Sequence, residues 1–349
     1  MADHAVPIET DALIIGAGPV GLFQVFELGL LGTHAHVVDV LPHVGGQCMT
    51  LYADKPIYDI PGLPRCTGRE LTERLQTQIQ PFAPTYHLGQ QVVSVTRLPD
   101  QRLQVQTTSA SQFVTRTLFI AAGVGAFLPR SLSIEGLQAW EGRQVFHQSH
   151  ALPELGQQSV VVVGGDDDAL QTVIALAQRD APDRPARITL LHRRTALDAS
   201  AELQAQLRAL QAEGQVAFMI GQVTGLTDHA QRLQALTVAT PEGAITSLPC
   251  DTLVILLGLS PQLGPLTQWG LAMSKKQLSV DTECFATSEP GIFAVGDINS
   301  YPGKRKLILS GFHEATLAAY AAAAYLRPGE KIPFEYTTAS PRLHQRLGV

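Results

Sequence analysis

A strand, glycine-rich turn, helix and second strand follow one another twice in this chain, and no other feature restricts its fold as tightly. Ala12–Ile15 is a short apolar run that enters Gly16-Ala17-Gly18-Pro19-Val20-Gly21. A helical stretch continues to about Leu31, and a second strand, His36–Val40, carries the acid Asp39 near its end. Runs that are apolar throughout, rather than alternating, are those of parallel strands buried on both faces. The design recurs with Val160–Val163 as strand, Gly164–Ala169 as turn, Leu170–Gln178 as helix and Ile188–Leu191 as second strand, ending in His192-Arg193-Arg194. In the first turn, Gly16-x-Gly18-x-x-Gly21, the first glycine makes the bend, the second lets backbone N–H groups approach a pyrophosphate, and the third lets helix lie on strand. The helix start then offers its partial positive charge to the phosphates.

Two such units predict an α/β protein of two Rossmann-like, three-layer dinucleotide-binding domains. Two further strands end alike: Leu118–Ala122 stops at Gly123 and Thr252–Leu257 stops at Gly258, each followed three to six residues on by proline. These matched exits suit the two crossings of an inserted domain. The expected boundaries are 1–124 and 251–349 for the outer domain and 125–250 for the insert. Polar, alternating pieces such as Gln101–Gln106 and Gln234–Ala239 read as antiparallel add-on strands.

Composition narrows the function classes. A net charge of −6 gives no global attraction for nucleic acid or an anionic membrane. No stretch reaches the roughly 18 apolar residues of a membrane span, and Leu317–Leu326 reads as a buried helix. The first ten residues lack the basic and apolar regions of a signal peptide, so a cytoplasmic location is expected. Four cysteines stand at 48, 66, 250 and 284, and no two have the C-x-x-C spacing of a redox pair or zinc knuckle. No G-x-S-x-G, H-E-x-x-H or paired-carboxylate motif points to a hydrolase, and no metal site is expected.

A late apolar strand, Gly291-Ile292-Phe293-Ala294-Val295-Gly296-Asp297, identifies the first dinucleotide. Together with Gly16–Gly21 and the turn Gly45-Gly46-Gln47, it resembles the two-dinucleotide-binding flavoproteins, in which this Gly-Asp carboxylate holds the ribitol of FAD. Order and size are similar to thioredoxin reductase, yet thiol exchange needs a resolving partner that the cysteine spacings do not supply. The segments Gly16–Phe23, Gly45–Gln47, Lys55–Gly62, Ala121–Arg130, Val295–Asn299, Leu307–Ala315 and Tyr336–Ser340 resemble the thioredoxin-reductase-like ferredoxin/flavodoxin–NADP reductase family. The resemblance implies FAD contacts at Gly16, Gly18, Pro19, Gly21, Asp39, Gly46, Gln47, Tyr52, Val92, Phe127, Asp297 and Thr338. It further implies hydride transfer from NADPH to FAD, single-electron exchange with ferredoxin or flavodoxin, and a homodimer whose tail folds over a flavin face. No acid–base catalyst is implied, because the cofactors carry the chemistry.

In the insert, Gly164 and Gly165 open the turn, and His192, Arg193 and Arg194 stand where a 2′-phosphate needs bases rather than an acid. Here the pattern departs from the family, which reads roughly G-G-G-D-S-A. Asp166 occupies the place of the glycine of closest approach, and Leu197-Asp198 stands where a third basic residue is expected. A carboxylate about 5 Å from a phosphate costs roughly 1–3 kcal/mol at an effective dielectric of about 20–40. Alternatively, Asp166 contacts the helix start, where a carboxylate is favoured. Two other functions stay open: a flavin reductase for quinone, external disulfide or free flavin, and a FAD-binding redox sensor or scaffold with a degenerate NADPH site. Lys304-Arg305-Lys306 is expected to steer an acidic partner.

Overall fold

A computed structural model describes residues 6–149 and 152–349. They divide into two compact units, Met1–Ala126 with Pro261–Val349 and Phe127–Ser260.

The first unit begins with the strand Ile8–Ile15, whose last half is buried on both faces. Helix α1 (Pro19–Leu30) leaves the glycine turn with proline at its start, and the strand Ala35–Val38 returns parallel to the first. The short α2 (Gln47–Tyr52) and α3 (Gly68–Ile79) follow. Thr67 and Glu70 close a reciprocal capping box on α3, which satisfies two N–H groups that a helix start otherwise leaves open. Thr85–His87 adds a parallel edge strand beside Ala35–Val38. On the other side of Ile8–Ile15 lies Gln112–Ile120, parallel to it, and the antiparallel strands Leu103–Thr107 and Val92–Arg97 continue the sheet. The alternating Gln101–Gln106 segment is thus an add-on strand.

The second unit holds a five-stranded parallel sheet in the order Val145–Phe146, Thr252–Leu256, Ser159–Gly164, Arg187–His192 and Ala217–Ile220. Helices α4 (Asp167–Ala177) and α5 (Ala201–Ala212) pack against each other beside it. Helix α4 starts three residues earlier than the apolar spacing indicates, because Asp166 caps it. Gln222–His229, Arg232–Ala239 and Ile245–Pro249 form a separate antiparallel sheet.

The chain then re-enters the first unit, where Ile292–Ala294 pairs in parallel with Leu118–Ile120. Helix α6 (Ile308–Leu326) lies beside α1, and α7 (Pro341–Leu347) ends the chain. Gln24 of α1 donates to the Ala315 carbonyl of α6 at 3.1 Å. Ala315, Ala318, Ala319, Ala322 and Ala323 are all buried, so small side chains let the two helices approach closely. That packing accounts for the apolar run of α6 without a membrane: no helix among the described residues is long and apolar enough to cross one. One face of the sheet carries α1, α3 and α6; the other is filled by Leu13, Leu118, Phe113 and residues of the add-on strands.

Candidate dinucleotide sites

Three chain segments meet at the first glycine turn. Gly16 has φ +109, and a Cβ there would lie 2.4 Å from the Ala121 carbonyl oxygen. At Gly21 a Cβ would come within 1.8 Å of the Gly16 oxygen, so α1 can leave the strand at this angle only with glycine. Gly45 N–H donates to the Ala17 carbonyl at 2.8 Å, and Gly46, at φ +53, faces the backbone of Gly18. Pro19 takes the first position of α1; no side chain caps the helix and its first turn carries no acid. The α1 start therefore presents backbone donors that no carboxylate among the described residues caps.

Asp39 is more deeply engaged than a ribose-binding acid need be. Its Oδ2 accepts Ala17 N–H at 2.6 Å and its Oδ1 accepts Leu41 N–H at 2.8 Å. Burial raises its pKa, and the two N–H bonds oppose that rise. Each oxygen keeps a second lone pair for a hydroxyl donor. Gln47 lies against the strand exit, its Nε2 3.1 Å from where a Gly123 Cβ would be. Tyr52 is half-buried and accepts a 3.6 Å hydrogen bond from the Cys48 thiol. Burial pushes the Tyr52 phenol well above its usual range, and the nearby Cys48 and Asp297 add to that. Val92 is core, with only 4% of its surface exposed, leaving its backbone as the part available to a ligand. Phe127 lies on the strand Ala126–Pro129, and its side chain is outside the described residues.

Asp297 enters from the far end of the sequence, in a short 3₁₀ turn, Gly296–Ile298, after the strand Ile292–Ala294. Four side chains fix the backbone here. Gly296 N–H donates to Glu314 Oε2 at 2.7 Å, and Gln277 Nε2 donates to the Asp297 carbonyl at 3.0 Å. Asn299 Nδ2 donates to the Ala294 carbonyl at 2.9 Å and to Glu314 at 2.8 Å, and Lys304 Nζ donates to the Gly296 carbonyl at 2.9 Å. The Asp297 carboxylate itself has no hydrogen-bonding or ion-pair partner among the described residues. Burial raises its pKa, Lys304 and Lys306 pull it down, and Glu314 pushes it up again. Val20 touches both Gly296 and Gly311, bringing this turn against the starts of α1 and α6. A pinned turn holding an unpartnered carboxylate beside an uncapped helix start fits a ligand with both hydroxyls and phosphates, as FAD is.

One expectation changes here. Lys304 is not a solvated steering residue: its side chain is 8% exposed and ion-paired with the fully buried Glu314. Tyr301 also donates to Glu314, at 2.9 Å. Only Arg305 and Lys306 of the basic run are exposed. Glu314 was missed by sequence reasoning, although a lone acid within an alanine-rich buried helix was its signal. Thr338, in turn, is exposed in a tail anchored on the far halves of α1 and α6. Arg346 donates to the Leu30 carbonyl, His344 Nε2 lies 2.6 Å from the Thr337 carbonyl oxygen, and Phe334 packs 6.3 Å from Tyr320. Leu30 stands about 18 Å along α1 from Gly18 at ~1.5 Å per residue. No hydrogen bond or ring contact joins Thr338 to the glycine turn among the described residues.

In the second unit, a Cβ on Gly164 would lie 2.4 Å from the Leu256 oxygen, and one on Gly165 would lie 2.8 Å from His192 Nε2. The His192 ring thus rests on the turn, with Nδ1 3.0 Å from the Arg194 carbonyl oxygen. Arg193 and Arg194 are exposed, and neither is ion-paired among the described residues. Asp166 is the N-cap of α4, its Oδ1 accepting Ala169 N–H at 3.1 Å. Asp167 and Asp168 follow in the first turn. Asp167 accepts Ser200 N–H at 2.7 Å, and Asp198 N–H donates to the Gly165 carbonyl at 2.7 Å.

Residues 10–323 match the family described as pyridine nucleotide-disulphide oxidoreductase. A ferredoxin–NADP reductase of Albidiferax ferrireducens is 51% identical over 349 residues, covering 100% of this chain and 98% of that protein. Another, from Paracidovorax citrulli, is 52% identical, covering 99% of this chain and 98% of its own. A thioredoxin reductase structure from Gloeobacter violaceus shares the fold at a TM-score of 0.56 and 21% identity, over 94% of this chain and 98% of that one. The chain belongs to the pyridine nucleotide-disulphide oxidoreductase family, beside these ferredoxin–NADP reductases.

Proposed function

We infer that this chain is a ferredoxin–NADP reductase, an FAD-dependent oxidoreductase that exchanges a hydride with NADP(H) and single electrons with ferredoxin or flavodoxin. One observation carries the reading: an uncapped α1 start and an unpartnered Asp297 carboxylate meet in one unit, in a chain that aligns end to end with ferredoxin–NADP reductases. Bound FAD supplies the step between two-electron and one-electron chemistry. The protein's own part is to bind and orient. Backbone N–H groups at Gly18–Gly21 receive the pyrophosphate, Asp39 the ribose, and Asp297 the ribitol. Gln47 and Tyr52 flank the site, and the backbone of Val92 adjoins it. In the insert, Arg193 and Arg194 take the 2′-phosphate, which favours NADPH over NADH.

The tail supports a homodimer. Thr338 is held over the far half of its own α1, so its contact with FAD is one made across to a second copy. Four free cysteines accord with a reducing, cytoplasmic setting. A second reading, a sensor or scaffold that no longer takes NADPH, draws on the acid at Asp166. Mixing the FAD-loaded protein with NADPH in a stopped-flow cell separates the two: rapid bleaching of the flavin is expected of a reductase. Cytochrome c reduction should then require added ferredoxin. A flavin that stays yellow at saturating NADPH would overturn the reductase reading.

A further inference from the structure

We propose that Asp166 keeps the pyrophosphate subsite of the insert closed with its own carboxylate, so that NADP(H) is recognised chiefly through its adenosine 2′-phosphate. The proposal rests on the reductase reading for the identity of the nucleotide, and on a contrast between two equivalent helix starts in one chain. Helix α1 has Gly18 at its N-cap, no capping side chain and no acid in its first turn. Helix α4 has Asp166 at its N-cap, bonded to Ala169 N–H at 3.1 Å, with Asp167 and Asp168 in the first turn. One of the helix-start donors, the Ala169 N–H, is taken by the carboxylate, and the charge that attracts an anion is offset by three acids.

The segment after Arg194 adds to the closure. Asp198 N–H on the Gly165 carbonyl and Ser200 N–H on Asp167, both at 2.7 Å, draw residues 198–200 across the turn. Asp166 and Asp198 bridge as in a short parallel pair. A pyrophosphate at this helix start faces carboxylates, whereas the exposed Arg193 and Arg194 at the neighbouring strand end have no carboxylate partner among the described residues. Binding energy therefore concentrates at the 2′-phosphate, the one group that separates NADPH from NADH.

The test is a calorimetric series on the FAD-loaded protein with NADP⁺ and with adenosine 2′-monophosphate, which lacks the 5′-phosphates. The two ligands should bind the native protein with similar affinity. Asp166→Asn removes the charge and keeps a capping group; Asp166→Gly removes both and costs the helix only about a few tenths of a kcal/mol. Each should tighten NADP⁺ about tenfold, the repulsion of one carboxylate at ~5 Å, and leave adenosine 2′-monophosphate unchanged. Replacing Arg193 and Arg194 by glutamine should weaken both ligands together. Unchanged NADP⁺ affinity in both Asp166 variants, or equal tightening of the two ligands, would overturn the proposal. Failure of the reductase reading is read separately, as native flavin that NADPH does not bleach.

Discussion

His36 and His87 stand on neighbouring strands with ring centroids 5.3 Å apart and planes 14° from parallel. Nδ1 of the first lies 3.0 Å from Nε2 of the second, so one ring donates and the other must be bare. Burial holds both below the ordinary histidine pKa, and the neighbouring His87 and His34 depress His36 further. The fold thus keeps them neutral while the unfolded chain protonates at about pH 6.5. Their contribution is complete above that value and declines as pH falls from it toward the lower, folded values. The His87 carbonyl also accepts Asp39 N–H at 3.1 Å, which connects this pair to the glycine turn. The unfolding midpoint should fall between pH 7 and pH 5, and His36→Gln should flatten that slope; an unaltered slope would count against the pair. At this scale, Gly16 and Gly21 were legible from their spacing after a strand, whereas Asp297 stood out only through the resemblance that its Gly-Asp strand end carries. The bonds from Asp39 to Ala17 and Leu41 were not, since a carboxylate at a strand end reads the same whether it meets backbone or ribose.

At the scale of elements, α6 is joined to the Asp297 turn through a buried charge. Glu314 takes donors from Gly296, Asn299, Tyr301 and Lys304. Removing one member of a buried ion pair leaves the other uncompensated and costs about 3–5 kcal/mol, whereas replacing both by neutral groups of similar size is often near neutral. Lys304→Met should therefore lower stability by about that amount and speed FAD release. The double change Lys304→Met with Glu314→Gln should recover most of the stability, as urea titrations would record. Equal losses in the single and double variants would refute the ion-pair account. Strands and long helices were readable here from apolar runs, but Lys304 was not. A lysine inside Lys-Arg-Lys looks solvated until the fold places an acid ten residues later beneath it. The alternative that Asp166 contacts the helix start was legible and is what α4 shows, but its first residue was not, because apolar spacing begins only at Leu170.

For the whole molecule, the repeated unit announced two nucleotide-binding bodies, and the add-on strands followed from their alternation. The partner copy was beyond reach of spacing, since a tail gives no sign of whose site it serves. Sedimentation of the FAD-loaded protein should give twice the chain mass of 37.5 kDa, and deleting residues 333–349 should weaken FAD retention in the remaining core. A stable monomer that keeps its flavin would contradict the shared site. One last feature offers a clock. Cys48 is the buried residue of α2, 1% exposed and hydrogen-bonded to Tyr52, and burial raises its thiol pKa. Only the thiolate is nucleophilic, so an alkylating dye can reach this atom only when the lobe around it breathes. Cys284, half-exposed, reacts without that wait. The lag between the two labels therefore times the excursions of the lobe that grips the prosthetic group.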